Sequence, residues 1–189
     1  DFQYPGGPPV RPYDAAGWTL AFQMGIEADR IMEGFEGPFV AMPYGQLLVP
    51  EASVLPSSAS GYFLDARVND SFKAVNDLLK GKVKVYRTQS AVGSSPAGSF
   101  YVPSTGKKIL EQAAKNYGVS PLAARGMPAG AKEIKPARIG LYDYYGGSMP
   151  SGWTRWILEQ FHFDFAQVFP MEIDGGNLAE KYDVLLFMG

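Results

Sequence analysis

The sequence predicts an α/β protein of layered β-α-β units on a largely parallel sheet, its last unit an incomplete doubly wound fold. Three stretches carry that expectation. Tyr62-Phe-Leu-Asp is a short apolar run. Phe72, Val75, Leu78 and Leu79 then recur at helical spacing as far as Gly81, and Lys82-Val-Lys-Val-Tyr-Arg alternates with period two, giving strand, helix, strand. A second pass places a strand over 99–102 and a helix over 107–117, closed by Gly118. From Lys135 onward come a strand ending in Ile139-Gly-Leu-Tyr, a helix over 152–161, a strand over 165–169 and another from Tyr182. Further strands and helices of such a fold would follow Gly189, so the chain is expected to be a fragment of a longer protein.

The remaining elements follow in order. Pro5, Pro8, Pro9 and Pro12 make residues 1–13 an extended lead-in of the kind that links domains. Asp14 is placed to cap a short helix reaching Met24, whose Trp18, Leu20, Phe22 and Met24 are apolar all round and therefore expected to be buried. Arg30–Met32, Glu33–Val40 and Gln46–Val49 read as short strands between Gly and Pro. Asn69 is a candidate N-cap for the helix that follows, which is a simpler account of Asn69-Asp-Ser than glycosylation. Residues 119–136, with three prolines and little periodicity, read as a connector. The expected domains are therefore a lead-in at 1–13, an α/β accessory subdomain with a β-rich start at 14–136, and the first part of a further α/β domain at 137–189. The halves either share one sheet or abut.

Composition narrows the chemistry. Seventeen basic and nineteen acidic residues, without a run of one sign, do not make the concentrated basic surface that neutralises nucleic-acid phosphates. The longest apolar run, Val184 to Met188, is strand-sized, so no membrane span is expected. With no cysteine there is no thiolate nucleophile, disulfide or cysteine-ligated metal. With one histidine, His162, the usual zinc ligand sets cannot be assembled from this chain, so no metal or cofactor is expected in it. His162 falls at a helix end, where interaction with the last carbonyls or the helix dipole accounts for it.

Three motifs bear on a site. Pro103-Ser-Thr-Gly-Lys-Lys has a glycine and a lysine before a helix. It lacks the first glycine and the hydroxyl of a phosphate-binding loop, and helix capping explains it. Trp153, Trp156, Ile157 and Phe161 match the core stripe of an amphipathic helix, with Arg155 on the opposite side, solvated or paired. Asp143, Tyr144, Tyr145 and Ser148, around Gly146-Gly147, form the loop after the first strand of the last unit. Doubly wound sheets bind ligands there, and these four residues are the candidate ligand-binding set; no catalytic or metal residue is assigned.

Pro12-Tyr-Asp-Ala-Ala-Gly-Trp-Thr-Leu-Ala-Phe-Gln-Met-Gly and Ile139-Gly-Leu-Tyr followed by Gly152-Trp-Thr-Arg-Trp-Ile-Leu-Glu-Gln-Phe resemble the region downstream of the catalytic domain in large bacterial zinc carboxypeptidase-like proteins, including the start of a class I glutamine amidotransferase-like domain. The lead-in from Tyr4 also resembles the join after the peptidase domain. The resemblance implies a secreted or periplasmic parent whose upstream peptidase domain holds zinc through a His-x-x-Glu pair and a distant His. This chain has no His-x-x-Glu and no cysteine, so neither the peptidase nor the amidotransferase residues carry over. The expected role is a non-catalytic accessory region supporting the peptidase domain or presenting its substrate. The alternatives are a small-molecule module for a sugar or amide, and part of an amidotransferase-like hydrolase. The expected partners are the upstream peptidase domain and, through the unfinished sheet, a second copy.

Overall fold

The computed structural model describes residues 5–8, 20–46, 48, 49, 51 and 54–188. The chain divides into two compact units, Asp1–Gln46 and Leu47–Gly189. In the first, the helix α1 (Leu20–Met24) ends at Gly25, whose positive φ lets its N–H and that of Ile26 close back on the helix carbonyls. Five residues give too little helix to bury a face. Leu20, Phe22 and Met24 are exposed, Phe22 by 86%, against the expectation of burial. Asp14 and Trp18 lie outside the described residues. The strands expected at 30–32, 33–40 and 46–49 do not form among the described residues. Gly34, Gly37, Pro38 and Pro43 interrupt this stretch every few residues, and each proline removes a ladder donor.

The second unit begins with β1 (Gly61–Leu64), α2 (Asn69–Lys80), β2 (Val85–Arg87) and β3 (Phe100–Pro103). A 3-10 turn at Ser104–Gly106 leads into α3 (Lys107–Tyr117), followed by β4 (Leu122–Ala124) and β5 (Lys132–Ile134). The sheet order is β4-β1-β3-β2-β5, and every neighbouring pair is antiparallel. This corrects the largely parallel sheet expected from the sequence. Strands β1 and β2 do run the same way, but β3 lies between them; β3 and β4 likewise flank β1. Each β-α-β unit is split by a strand of the other, the order of a ferredoxin-like sandwich with β5 added at one edge. Periodicity identifies strands and helices but does not say which strand inserts between which. Strands β4 and β5 fall in the stretch read as a connector; Leu-Ala-Ala and Lys-Glu-Ile are too short to show alternation.

The period of two now divides the sheet's faces. Tyr62, Leu64, Val85, Phe100 and Val102 face α2 and α3 and form one core with Ala74, Val75, Leu78, Leu110 and Ala114. On the other face Phe63, Tyr101 and Ala124 form a smaller cluster with Tyr86 and Val92. Asn69 is the first helical residue of α2, not its N-cap; Val68 takes that position, and no side chain caps the helix. At its other end Gly81 has an ordinary φ and Lys82 takes the left-handed turn. What requires glycine at 81 is proximity, because a Cβ there would stand 2.6 Å from Ile109 Cδ1 on α3.

A second sheet holds β6 (Ile139–Tyr142), β7 (Phe165–Val168) and β8 (Val184–Leu186), with α4 (Met149–Gln160) between the first two and the short helices α5 (Pro170–Asp174) and α6 (Leu178–Lys181) before the last. It is parallel, in the order β7-β6-β8, and separate from the five-stranded sheet. The crossover from β6 to β7 and the one from β7 back past β6 to β8 run in opposite directions, so right-handed connections place α4 on one face and α5 with α6 on the other. Arg138 pins the start of β6 to the turn before β8 through a two-pronged pair with Asp183 (2.7 and 3.1 Å). The described residues thus form a mixed α/β structure with one antiparallel and one parallel sheet.

Helix α4 turns opposite to expectation. Ser151 and Leu158 are its buried residues, Trp153 and Trp156 are 63% and 53% exposed, Ile157 is exposed, and Phe161 beyond its end is half-buried. Two stripes share the helical period here, 151/154/158 and 149/153/156/157. The smaller one packs against β6, where Ser151 Oγ donates to the Tyr142 carbonyl. Arg155 pairs with Glu159 one turn on, at 2.9 Å. No helix among the described residues is long and apolar enough to cross a membrane.

Candidate functional site

The loop singled out from the sequence leaves the carboxyl end of β6, beside those of β7 and β8. The Asp143 N–H continues the ladder to the Val168 carbonyl (2.9 Å), and its Oδ1 turns back to accept the Tyr144 N–H (2.9 Å). Gly146 and Gly147, at φ 98° and 74°, take the chain through a turn closed to Tyr144. Ser148 then caps α4, its Oγ accepting the Ser151 N–H at 3.2 Å. Tyr145 stacks flat on Phe169 after β7, with centroids 5.0 Å apart, and Tyr142 lies against Phe187 after β8. The structure therefore brings Asp143, Tyr144, Tyr145 and Ser148 together at one edge. Ser148 is committed to its helix, while Tyr144 and Tyr145 are exposed.

His162 lies elsewhere, where the two sheets' layers meet. It takes a left-handed φ of 59° and ends α4. Its N–H and that of Phe163 donate to the carbonyls of Glu159 and Leu158. This turn aims the imidazole at α2, where Nδ1 lies 2.5 Å from Asp77 Oδ1. The other carboxylate oxygen of Asp77 accepts the Tyr117 hydroxyl at 3.0 Å, and the Tyr117 and His162 rings meet edge to face. Burial, reinforced by the Asp77 carboxylate, pushes the Tyr117 phenol up to about 12, keeping it a donor. The Asn76 amide donates to the Phe161 carbonyl (2.8 Å), and Lys80 pairs with Asp164 (3.0 Å). Residues about 85 positions apart are thereby fastened together. Sequence spacing carries no sign of this junction.

Beside the junction opens a cleft of about 320 Å³, walled by α2, the β2-β5 edge of the antiparallel sheet, the link 135–137 and the turn after α4. Its lining is mostly apolar. Arg87 and Lys135, which the sequence reading did not single out, have no ion-pair partner among the described residues. In the phosphate-loop lookalike, Lys107 is taken up by Ser57 (2.8 Å) and Glu111 (3.4 Å). No three His, Cys, Asp or Glu side chains among the described residues are grouped to hold a metal ion. Compared with known proteins, the chain matches no family model, no curated protein and no solved structure.

Proposed function

We propose that this chain is a non-catalytic accessory region of a secreted or periplasmic zinc metallocarboxypeptidase-like protein, serving as a platform on which the peptidase domain packs. The observation that carries this reading is the apolar surface left uncovered. Met149, Trp153, Trp156 and Ile157 form a continuous exposed stripe on α4, and Phe22, Met32, Val40 and Leu48 are exposed nearer the start of the chain. Extended apolar surface of this kind marks a protein interface. Tryptophan is among the residues most enriched at the centres of interfaces. The sequence resemblance supplies the partner. It also supports reading the β7-β6-β8 sheet as the opening of an amidotransferase-like doubly wound domain, whose parallel order it shares. Zinc and the scissile peptide belong to the peptidase domain, since His162 is held by Asp77 and there is no second His.

The test is to express the peptidase domain of the same gene separately and measure its association with this chain. A stable complex, weakened by Trp153→Glu with Trp156→Glu, is expected. A reading frame without an upstream His-x-x-Glu, or no association, overturns the proposal. A second reading, a sugar- or amide-binding loop, is favoured by the Tyr145–Phe169 stack beside the exposed Tyr144. It calls for a ligand-dependent rise in melting temperature that Tyr145→Ala abolishes.

A further inference from the structure

The cleft between α2 and the edge of the antiparallel sheet exists because two helices cannot cover five strands. The core beneath α2 and α3 ends at Val85 and Phe100, and β5 extends the sheet beyond it. The turn after α4 and the link 135–137 roof the uncovered corner incompletely, leaving the space of about 320 Å³. That is within the range of small-molecule sites, roughly 300 to 1,000 Å³. Its inner wall is apolar: Phe72 and Phe100 meet edge to face at 5.3 Å, with Val75, Leu79, Ile134 and Phe163 around them.

The register places Arg87 at one end of this wall. Arg87 is the direct cross-strand partner of Phe100 and lies two residues after the buried Val85, so its side chain rises on the cleft side of the sheet. Its guanidinium passes Gly98, where a Cβ would stand 3.5 Å from Nη2. Lys135 follows Ile134, the partner of Val85, and so lies at the other end of the wall from Arg87, whose partner is Lys132. Neither Arg87 nor Lys135 has an ion-pair partner among the described residues, whereas Lys80 is already neutralised by Asp164. An apolar slot ending in an unpaired guanidinium suits one ligand chemistry. The ligand has an apolar body to displace water from the aromatic wall and a single carboxylate to receive the two-pronged hydrogen bonding that arginine offers. A free phosphate would leave the wall wet, and a neutral lipid-like molecule would leave the guanidinium unused.

We propose that this cleft binds an apolar carboxylic acid of the size of a medium-length acyl chain or one bulky amino-acid residue, its carboxylate at Arg87 and its body against Phe72 and Phe100. The site is separate from the α4 stripe and from the loop at 143–148, so it stands or falls independently of the proposed accessory role.

Sodium octanoate is the probe, titrated into the 189-residue chain by calorimetry, with octanamide and inorganic phosphate as comparators. Saturable single-site binding of octanoate is expected, with octanamide about tenfold weaker for want of the charge-assisted hydrogen bonds. Arg87→Gln, at an exposed position, should weaken octanoate severalfold while leaving octanamide unchanged and the circular-dichroism melt intact, and Lys135→Gln, exposed at the far end, should weaken it less. Equal affinity for octanoate and octanamide would reduce the cleft to an apolar void. Binding of phosphate as tight as that of octanoate, or octanoate binding that Arg87→Gln does not change, would overturn the assignment.

Discussion

Replacing Asp77 by alanine tests whether the His162 junction holds the two sheet layers together. The carboxylate serves two partners at once, the Tyr117 hydroxyl at 3.0 Å and His162 Nδ1 at 2.5 Å. Each hydrogen bond to a charged group contributes about 1.5–3 kcal/mol when well shielded. Here the His162 and Asp77 side chains are 34% and 25% exposed, so water replaces part of what is lost, and about 1 kcal/mol per bond is the better figure. The half-buried Tyr117 hydroxyl adds a desolvation cost, bringing Asp77→Ala to about 2–3 kcal/mol, or roughly 4–12 °C in melting temperature for a chain of this length. The assay is urea unfolding of a double-mutant cycle. Because His162 sits at φ 59°, its partner substitution should be His162→Asn, which tolerates the left-handed region and leaves the helix end intact. A coupling of about 1 kcal/mol between the two sites is expected. Additivity within about 0.3–0.5 kcal/mol would show that the pair does not fasten the layers and refute the reasoning.

Three further outcomes follow from the packing and the charges. Trp156→Ala should cost no more than about 1 kcal/mol, because the ring is half in solvent, and iodide should quench the parent's fluorescence more than the variant's; a loss of about 3–5 kcal/mol would restore the buried stripe read from the sequence. Gly106→Ala should destabilise by about 1–3 kcal/mol, since its Cβ would stand 2.5 Å from Val102 Cγ1 and 2.9 Å from Leu78 Cδ2, and an unchanged urea midpoint would count against that packing. The Arg138 side chain, then its backbone N–H, hold the Asp183 carboxyl down at about 2 against an ordinary 3.8. The charged form is favoured in the fold, so this contribution is whole above about 3.8 and is lost as pH falls through about 2. The stability difference between parent and Asp183→Asn should shrink over that window, and a difference independent of pH would disprove the pairing.

What the sequence by itself determined is local. The helix over 107–117, its Gly118 stop, the helix ending at Gly81 and the strands around 62–64, 100–102, 139–142 and 165–168 were all legible, because caps, periodicity and alternation act over a few residues. The clustering of Asp143, Tyr144, Tyr145 and Ser148 was legible too, since one turn contains them. Tertiary structure decided the rest. Whether a β-α-β unit lies side by side in a parallel sheet or opens to admit another strand depends on pairings between residues some 40 apart, as Phe63 finds Tyr101. No local signal encodes that choice. In α4 two stripes obeyed the same period, and only the shape of the β6 surface selected Ser151 and Leu158 over the tryptophans. The contacts of His162 with Asp77 and of Arg87 with the cleft arise the same way: the fold brings together residues from distant parts of the chain, and the side chains' own chemistry then decides what they do there.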